Sequence, residues 1–548
     1  MASGEGVAPM RWWGWGDPGH PPGLPAHALA FLRETVGVAP RSCPPVALAH
    51  VQLPSPSLPA GALAELRSLL GEEAVRETHA ERVGHAAGRG YPDLVRLRAG
   101  TPKGAPDAVV YPSDARRLRA LLELCGRRSL ALVPFGGGTS VVGGVAPLRG
   151  AHAGVLSLDM RRLDALVELD RESRIATVQA GMRAPALERL LGAQGLTLGH
   201  FPQSYEHVSL GGCAATRSAG QASTGYGRFE QLVLGLRLAA PAGELELPAL
   251  PASAAGPQLR ELALGSEGML GVIHELALRV RPAPTYRRYE GVFFTDFASG
   301  TQALRALAQE RLAPAVTRLS DEQETRMSLA LAGGGGLKGR LGRAYLGARG
   351  YGGGCLAILG FEGAAVDVEG RRARALALVR AHGGLPVGRS PGEAWRAQRF
   401  VAPYLRDDLL THGVLVETLE TATRWSRLGE LYREVGRAIA GALEKQGTPG
   451  LVMCHVSHVY ETGASLYFTF LARQREGHEL EQWQAVKRAA GDAIAAHGGT
   501  ITHHHAVGCA HTPWLEREIG ESGVQALRAL KAELDPTGIM NPGKLLPA

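Results

Sequence analysis

The stretch "PFGGGTSVVGG", Pro134–Gly144, directly follows the apolar run "LALV". Three successive glycines after a strand leave no Cβ between the backbone and whatever lies against it. They let neighbouring N–H groups turn toward one point, which is how a loop cradles an anion. Thr139 and Ser140 add hydroxyl donors. The spacing is neither G-x-G-x-x-G nor a P-loop, because no Gly-Lys-Ser/Thr follows. Taken alone, the stretch reads either as a phosphate cradle or as a glycine-rich hairpin turn.

The sequence around it has alternating structure. "DAVVYP" reads as a strand, "SDARRLRALLELCGRR" as a capped amphipathic helix and "LALVPF" as a second strand, a βαβ-like opening. Further strands are expected in "GVLSLDM", "ALVELDRESRIATVQAG", "GVIHELALRVRPAP" and "LVLGLRLAAPAGELEL", the last turning at "PAG". Two more small-residue loops flank these strands. One, within 201–238, carries Pro202, Ser204, Tyr205, Gly211, Gly212, Ala214, Ala215, Thr216 and Arg217. The other carries Gly265, Ser266, Glu267, Gly268 and Gly271. With Pro134, Phe135, Gly136, Gly137, Gly138, Thr139 and Ser140, these loops would line an extended cofactor better than a single phosphate.

The chain length of 548 residues calls for more than one domain. Residues 1–101 read as an N-terminal helical extension, 102–284 as the loop-bearing domain, 285–500 as a second α+β domain and 501–548 as a terminal segment with a helix near 513–534. Glycine-rich 331–354 reads as a mobile loop that could gate a channel. A net charge of +7 over this length suits anionic small molecules or an anionic surface, and the absence of a dense Lys/Arg block argues against nucleic acid. The six scattered cysteines read as free buried thiols in a reducing compartment. Neither a signal peptide nor a peroxisomal address is recognised. A cytoplasmic protein is expected, open to peripheral membrane contact and forming a homodimer.

"THHHAVG" places His503, His504 and His505 side by side, and "CHVSHVY" adds His455 and His458. Five histidines raise the question of a metal. If "VSHVY" is a strand, His455 and His458 face opposite ways, which is poor chelating geometry. Arg318 in "AVTRLSD" and Arg406 in "PYLRDD" suit either a structural ion pair or a grip on phosphate. Tyr467 in "GASLYFTF" lies in a strand, where a tyrosine is usually core.

The combination of "P-x-GGGTS", "SLGG…ATR…G…YG" and "GSEGxLGVI" resembles the PCMH-type FAD-binding domain of the vanillyl-alcohol oxidase superfamily. The resemblance sharpens to the alkyldihydroxyacetonephosphate (alkylglycerone-phosphate) synthase family. It runs from "RWWGWGDP" through "SYE", "TRLSDEQE", "YLRD" and "TGASLYFTF" to "THHHAVG" and "NPGKLL". It implies an α+β fold: a two-subdomain FAD-binding domain plus an α+β cap domain, with FAD held non-covalently. The absence of a histidine or cysteine at an obvious attachment position agrees with that, although His207 keeps covalent attachment open.

The implied reaction exchanges the acyl chain of acyl-dihydroxyacetone phosphate for a long-chain fatty alcohol, without net oxidation. Tyr467 becomes the acid/base at C1, for which a nearby cation must lower its phenol. Arg318 and Arg406 line the active site, and His503–His505 bind and protonate an oxyanion. No metal is implied. Metal-dependent flavin 2-hydroxyacid dehydrogenases of the superfamily carry H-x-G-D-G-N and Glu-His-Gly-x-Gly runs; here the former is missing and His504 stands in the acidic position. An FAD-dependent 2-hydroxyacid dehydrogenase or oxidase is the second reading. One departure stands out: the family's "HHHGVG" continues into a basic stretch, whereas this chain has "HHHAVG" and then "CAHTPW".

Overall fold

The computed structural model describes residues 10–17, 23–38, 42–331 and 337–546, with the side chains of 337 and 338 excepted. The βαβ-like opening forms as the apolar spacing requires. Leu118, Leu121, Leu122 and Cys125 line one face of the helix Ala115–Arg128, which Asp114 caps by accepting from the Arg117 N–H at 2.8 Å. This helix packs on a four-stranded sheet ordered Val75–Arg76, Ala108–Val110, Gly154–Asp159, Leu130–Phe135. The last three strands are parallel, and Val75–Arg76 pairs antiparallel at the edge. The helix Ala62–Leu70 packs into the same core. So residues 62–76, read from sequence as part of the N-terminal extension, belong to this first layer. The signal is weak because the strand is two residues long.

The second layer is an antiparallel sheet ordered Leu166–Asp170, Ile175–Gln179, Val272–Arg279, Val233–Ala240, Gly243–Leu247. The expected "PAG" turn joins the last two strands, with Ala240 opposite Gly243. The chain then enters a seven-stranded, wholly antiparallel cap sheet ordered Leu385–Gly388, Tyr286–Phe294, Cys355–Gly363, Val316–Ser320, Leu451–Val456, Gly463–Arg473, Val414–Arg424. Helices Phe297–Gln309, Ala365–Ala381, Trp425–Lys445 and Glu479–Ala496 share one core with Leu319, Val456, Leu466, Phe468 and Leu419. Because strand side chains alternate, Arg318, His455, Tyr467 and Glu420 are left on the opposite face.

Three expectations are corrected. Residues 337–348 form a helix (Leu337–Ala348) rather than a loop, since Leu337, Leu341, Ala344 and Ala348 recur at helical spacing despite the glycines; residues 332–336 of the expected loop lie outside the described residues. Val456 ends its strand, so "VSHVY" is not one. Of the six free cysteines four are buried, but Cys509 is exposed and Cys43 half-buried. No helix among the described residues is long and apolar enough to cross a membrane.

The C-terminal segment returns to the first layer. After Thr512–Leu534, two helical stretches broken at Gly520 (φ 74°), Met540 bridges in parallel to Leu132, and Ile539 and Met540 enter that sheet's core. Between cap and terminal helix the histidine loop carries Ala506 at φ 71°. A side chain in this left-handed region costs about 1–2 kcal/mol, of which glycine's extra chain entropy of roughly 0.5–1 kcal/mol would return part. Ala506→Gly is therefore expected to raise stability by about 0.5–1 kcal/mol, read as a higher urea midpoint. A lower midpoint would show that the backbone at 506 is not strained.

Candidate active site

Strand register builds the centre of the site. Tyr467 lies opposite Glu420 on one side and His455 on the other. The three side chains thus form a row across adjacent strands. The His455 ring stacks on Tyr467 with centroids 4.8 Å apart. Arg318, on the next strand, reaches His455 Nδ1 at 3.0 Å and Glu324 at 2.7 Å. Burial raises the Glu324 carboxyl, but His455 and Arg318 outweigh it and hold it at about 2.

The three consecutive histidines fold onto Glu420. Its buried carboxylate accepts from the N–H groups of His503, of His504 at 3.0 Å and of His505 at 2.7 Å, and from Thr502 Oγ1 at 2.8 Å. Burial pushes this carboxyl up, yet the imidazoles of His504 and His505 and these donors keep it below its ordinary value. The loop brings the His504 and His505 rings to 5.9 and 5.5 Å from the Tyr467 ring. Their side chains keep 16% and 13% exposure while His503 is buried, so 504 and 505 face the open side of the cluster. Burial lowers all of these imidazoles, well below the usual value for His503 and His505. They rest neutral and can donate N–H to an oxyanion, while protonating one requires a proton supplied from elsewhere.

Tyr467 is buried, and burial pushes its phenol up to about 12 despite a hydrogen bond with Thr418 and the field of Arg406. The cation expected beside it is present but does not win. Among the described residues Arg406, on the helix Ala402–Thr411, makes only long contacts: 3.4 Å to Glu417, 3.3 Å to Thr418 Oγ1 and 3.3 Å to the Arg89 carbonyl. It retains donor capacity for an anion. Behind it, Asp407 accepts from the N–H groups of Trp15 and Gly16, which fixes the "RWWGWG" segment.

The flavin loops converge as one surface. A Cβ at Gly136 would lie 2.0 Å from Ser209 Oγ, and one at Gly137 would lie 2.2 Å from the His207 carbonyl. Only glycine permits this approach. Arg183, which the sequence reading missed, hydrogen-bonds that same carbonyl and adds a cation beside the cradle. Ser266 Oγ is buried without a partner in the second loop, as a cofactor-contacting hydroxyl is before its ligand arrives. These features fit a dinucleotide. Two of the predicted residues serve the loops themselves: Arg217 holds the Leu264 and Glu261 carbonyls. Both oxygens of Glu267 accept at 2.8 Å from Val507 and Gly508, and burial raises that carboxyl to about 7. His207 lies against the Tyr404 hydroxyl at 3.3 Å.

Because the strand stops at Val456, His458 turns back and stacks on His503 at 4.9 Å. Nitrogens of His458, His503 and His504 then lie within 4.8 Å of one another. The outer nitrogens are engaged by Ser223 and Tyr460, His503 and His504 bond each other, and Arg228 brings positive charge to His458. That environment favours hydrogen bonding over a dication. Glu420, Tyr460, Arg228 and Arg183 are site members the sequence reading did not single out, and His458 was weighed there only as a metal ligand; the acids of "VLVETLE" were a further available signal.

The family described as FAD binding domain matches residues 106–247, and FAD linked oxidases, C-terminal domain, matches 283–545. The alkyldihydroxyacetonephosphate synthase of Trypanosoma brucei brucei is 32% identical over 568 residues, covering 98% of this chain and 92% of that protein. The Dictyostelium discoideum alkyldihydroxyacetonephosphate synthase is 33% identical over 490 residues, 88% and 80% of the two chains. A solved alkyldihydroxyacetonephosphate synthase structure superposes with a TM-score of 0.85 at 28% identity over 98% of this chain and 99% of its own. With near-complete coverage in both sequence and structure, the chain belongs to the alkyldihydroxyacetonephosphate synthase family and takes FAD as its cofactor.

Proposed function

We propose that Tyr467, the histidine loop and Arg406 carry out the exchange reaction of a flavin-dependent alkylglycerone-phosphate synthase, replacing the acyl chain of acyl-dihydroxyacetone phosphate with a long-chain fatty alcohol. The observation that carries this reading is the row Glu420–Tyr467–His455 with His504 and His505 folded over it. When bound, FAD supplies an electron-accepting ring that makes the substrate carbon exchangeable without net redox change. The glycine loop 136–138 binds its phosphates through backbone N–H groups, with Arg183 as counter-charge. FAD is held non-covalently, His207 being turned toward Tyr404.

Arg406 grips the substrate phosphate. Arg318, whose Nη2 is engaged by Glu324 and His455, positions the imidazole stacked on Tyr467. Tyr467 removes the C1 proton in its ionised form and later returns it. His504 and His505 donate N–H to the departing carboxylate. The domains proposed are the FAD domain through about 284, the cap over 285–500 and the C-terminal segment 501–548 that bridges them.

Four outcomes test this. Tyr467→Phe is expected to lower label exchange of fatty alcohol into the acyl substrate by at least ~100-fold with flavin content unchanged. Since its phenol lies near 12, the ionised fraction and hence the wild-type exchange rate should climb with pH from 7 to 10. A rate already flat from pH 7 to 10 would assign the base to one of the imidazoles, which burial lowers. Glu420→Gln, which turns an NH2 group toward backbone donors, is expected to cost about 3–5 kcal/mol in urea unfolding and most of the exchange activity; near-wild-type values would mean the loop does not need its carboxylate. Anaerobic addition of D-2-hydroxy acids should leave the flavin oxidised. Rapid bleaching would favour the dehydrogenase reading.

A further inference from the structure

Lys487 is a buried cation that the acid/base row does not use. It lies on the helix Glu479–Ala496 and keeps only 8% exposure. Residues four apart on a helix share a face, so its neighbours show where it points. Trp483, one turn earlier, donates its indole N–H to Glu417 Oε2 at 2.6 Å. Gly491, one turn later, lies against the Trp514 ring, which a Cβ there would meet at 2.5 Å. Lys487 is thus aimed between Glu417 and the end of the histidine loop. The strand Val414–Arg424, which bears Glu417 and Glu420, is the outermost of the cap sheet. A long side chain from the helix layer can therefore pass its edge toward the face that carries Tyr467. The groups whose fields reach the ammonium agree with that path: Glu417, Glu420, Arg406, His505 and His511.

An ammonium has three donors, and burying it without acceptors is costly. Among the described residues Lys487 makes neither a hydrogen bond nor an ion pair. The two nearby acids are turned to other donors. Glu417 Oε1 accepts from the Thr418 N–H at 2.7 Å and faces Arg406 at 3.4 Å, and its Oε2 holds Trp483. Glu420 is filled by residues 502–505. Arg406 repels Lys487 and itself makes only long contacts. Two cations thus share one buried space with donors to spare, and an anion between them would relieve both. The histidine loop supplies no such cation: "THHHAVGCAHTPW" (502–514) contains no lysine or arginine. Its His511 is neutral, since burial pushes that imidazole down to about 3. We propose that Lys487 is a second phosphate ligand, gripping the acyl substrate's phosphate together with Arg406 and selecting that substrate over its dephosphorylated form. This rests on the reading of Arg406 and the exchange reaction given above.

The test uses the full-length flavin-loaded enzyme with hexadecanol and either acyl-dihydroxyacetone phosphate or acyl-dihydroxyacetone. Lys487→Met keeps the length of the side chain and removes its charge. It should raise KM for the phosphorylated substrate by about 10-fold or more while KM for the dephosphorylated one and the flavin content stay unchanged. Lys487→Arg should recover most of the loss. An unchanged KM for the phosphorylated substrate overturns the proposal. So does an equal rise for both substrates, which would make Lys487 only a counter-ion to Glu417 and Glu420. Should Lys487→Met fail to retain flavin, Lys487→Gln takes its place with the same expected and overturning results. Calorimetric titration of inorganic phosphate reads the site without turnover. Weaker binding in Lys487→Met beside wild-type binding in Tyr467→Phe supports the site even if the protein exchanges no alcohol, a result that would sink the proposed function alone. Equal phosphate binding in Lys487→Met and wild type, or none in the wild type, overturns the second ligand.

Discussion

The Glu420 carboxylate is the interaction on which the rest of the site depends. Burying a carboxylate costs several kcal/mol unless its lone pairs are filled. Here four donors from residues 502–505 fill them, three of them consecutive backbone N–H groups. The carboxylate therefore cannot be satisfied without the histidine loop in this one shape. The loop, too short and irregular to have a preferred conformation of its own, takes its shape from the carboxylate. Strand register then does the aiming. Glu420 is opposite Tyr467, so whatever folds onto Glu420 arrives beside the phenol.

A second buried carboxylate holds the far end of the same loop. Glu267 comes from the FAD domain and accepts from Val507 and Gly508, while Glu420 comes from the cap. Ala506 lies between the two clamps in a left-handed conformation, the residue that must absorb the mismatch between them. The histidines are thus pinned at the seam of two domains, one that carries the cofactor loops and one that carries the acid/base row. Asn541 adds a third tie, donating to the Gly144 and Glu267 carbonyls from the last segment of the chain. Neither domain contains the whole site, and the C-terminal segment makes it continuous.

Much of this was legible in sequence because it rests on local chemistry. Glycine loops after strands, the Asp114 cap, the "PAG" hairpin and the helical character of Thr512–Leu534, though not its break at Gly520, are each dictated by residues within a few positions. What stayed hidden is long-range. The strand Val414–Arg424 carries Glu417 and Glu420 among apolar residues, and acids in a strand look like a solvent face until their partners are known. Its partners are 82–85 residues away in the chain. His458 was misplaced for a related reason: apolar residues around it suggested a continuing strand, but pairing ends at Val456 and the ring swings back onto His503. The glycine-rich 331–354 failed in the other direction, since composition outweighed the helical spacing of Leu337, Leu341, Ala344 and Ala348.

Charge explains why histidines, and not lysines or carboxylates, occupy the loop. The exchange reaction begins and ends with the same redox state and the same number of protons on the enzyme, so the groups that move protons must be able to return to neutral after each half. Burial disfavours the charged form of each imidazole here, so none of the three brings a fixed charge to the loop. A lysine in the loop would stay charged beside Glu420 and could not return to neutral after each half. A carboxylate at 504 would face Glu420 at close range and push one of the two to take up a proton. Neutral rings joined nitrogen to nitrogen can pass a proton in either direction with no net change of charge. That reversibility is what an exchange of one oxygen nucleophile for another requires, and it follows from the three-histidine run being folded around a single buried acid.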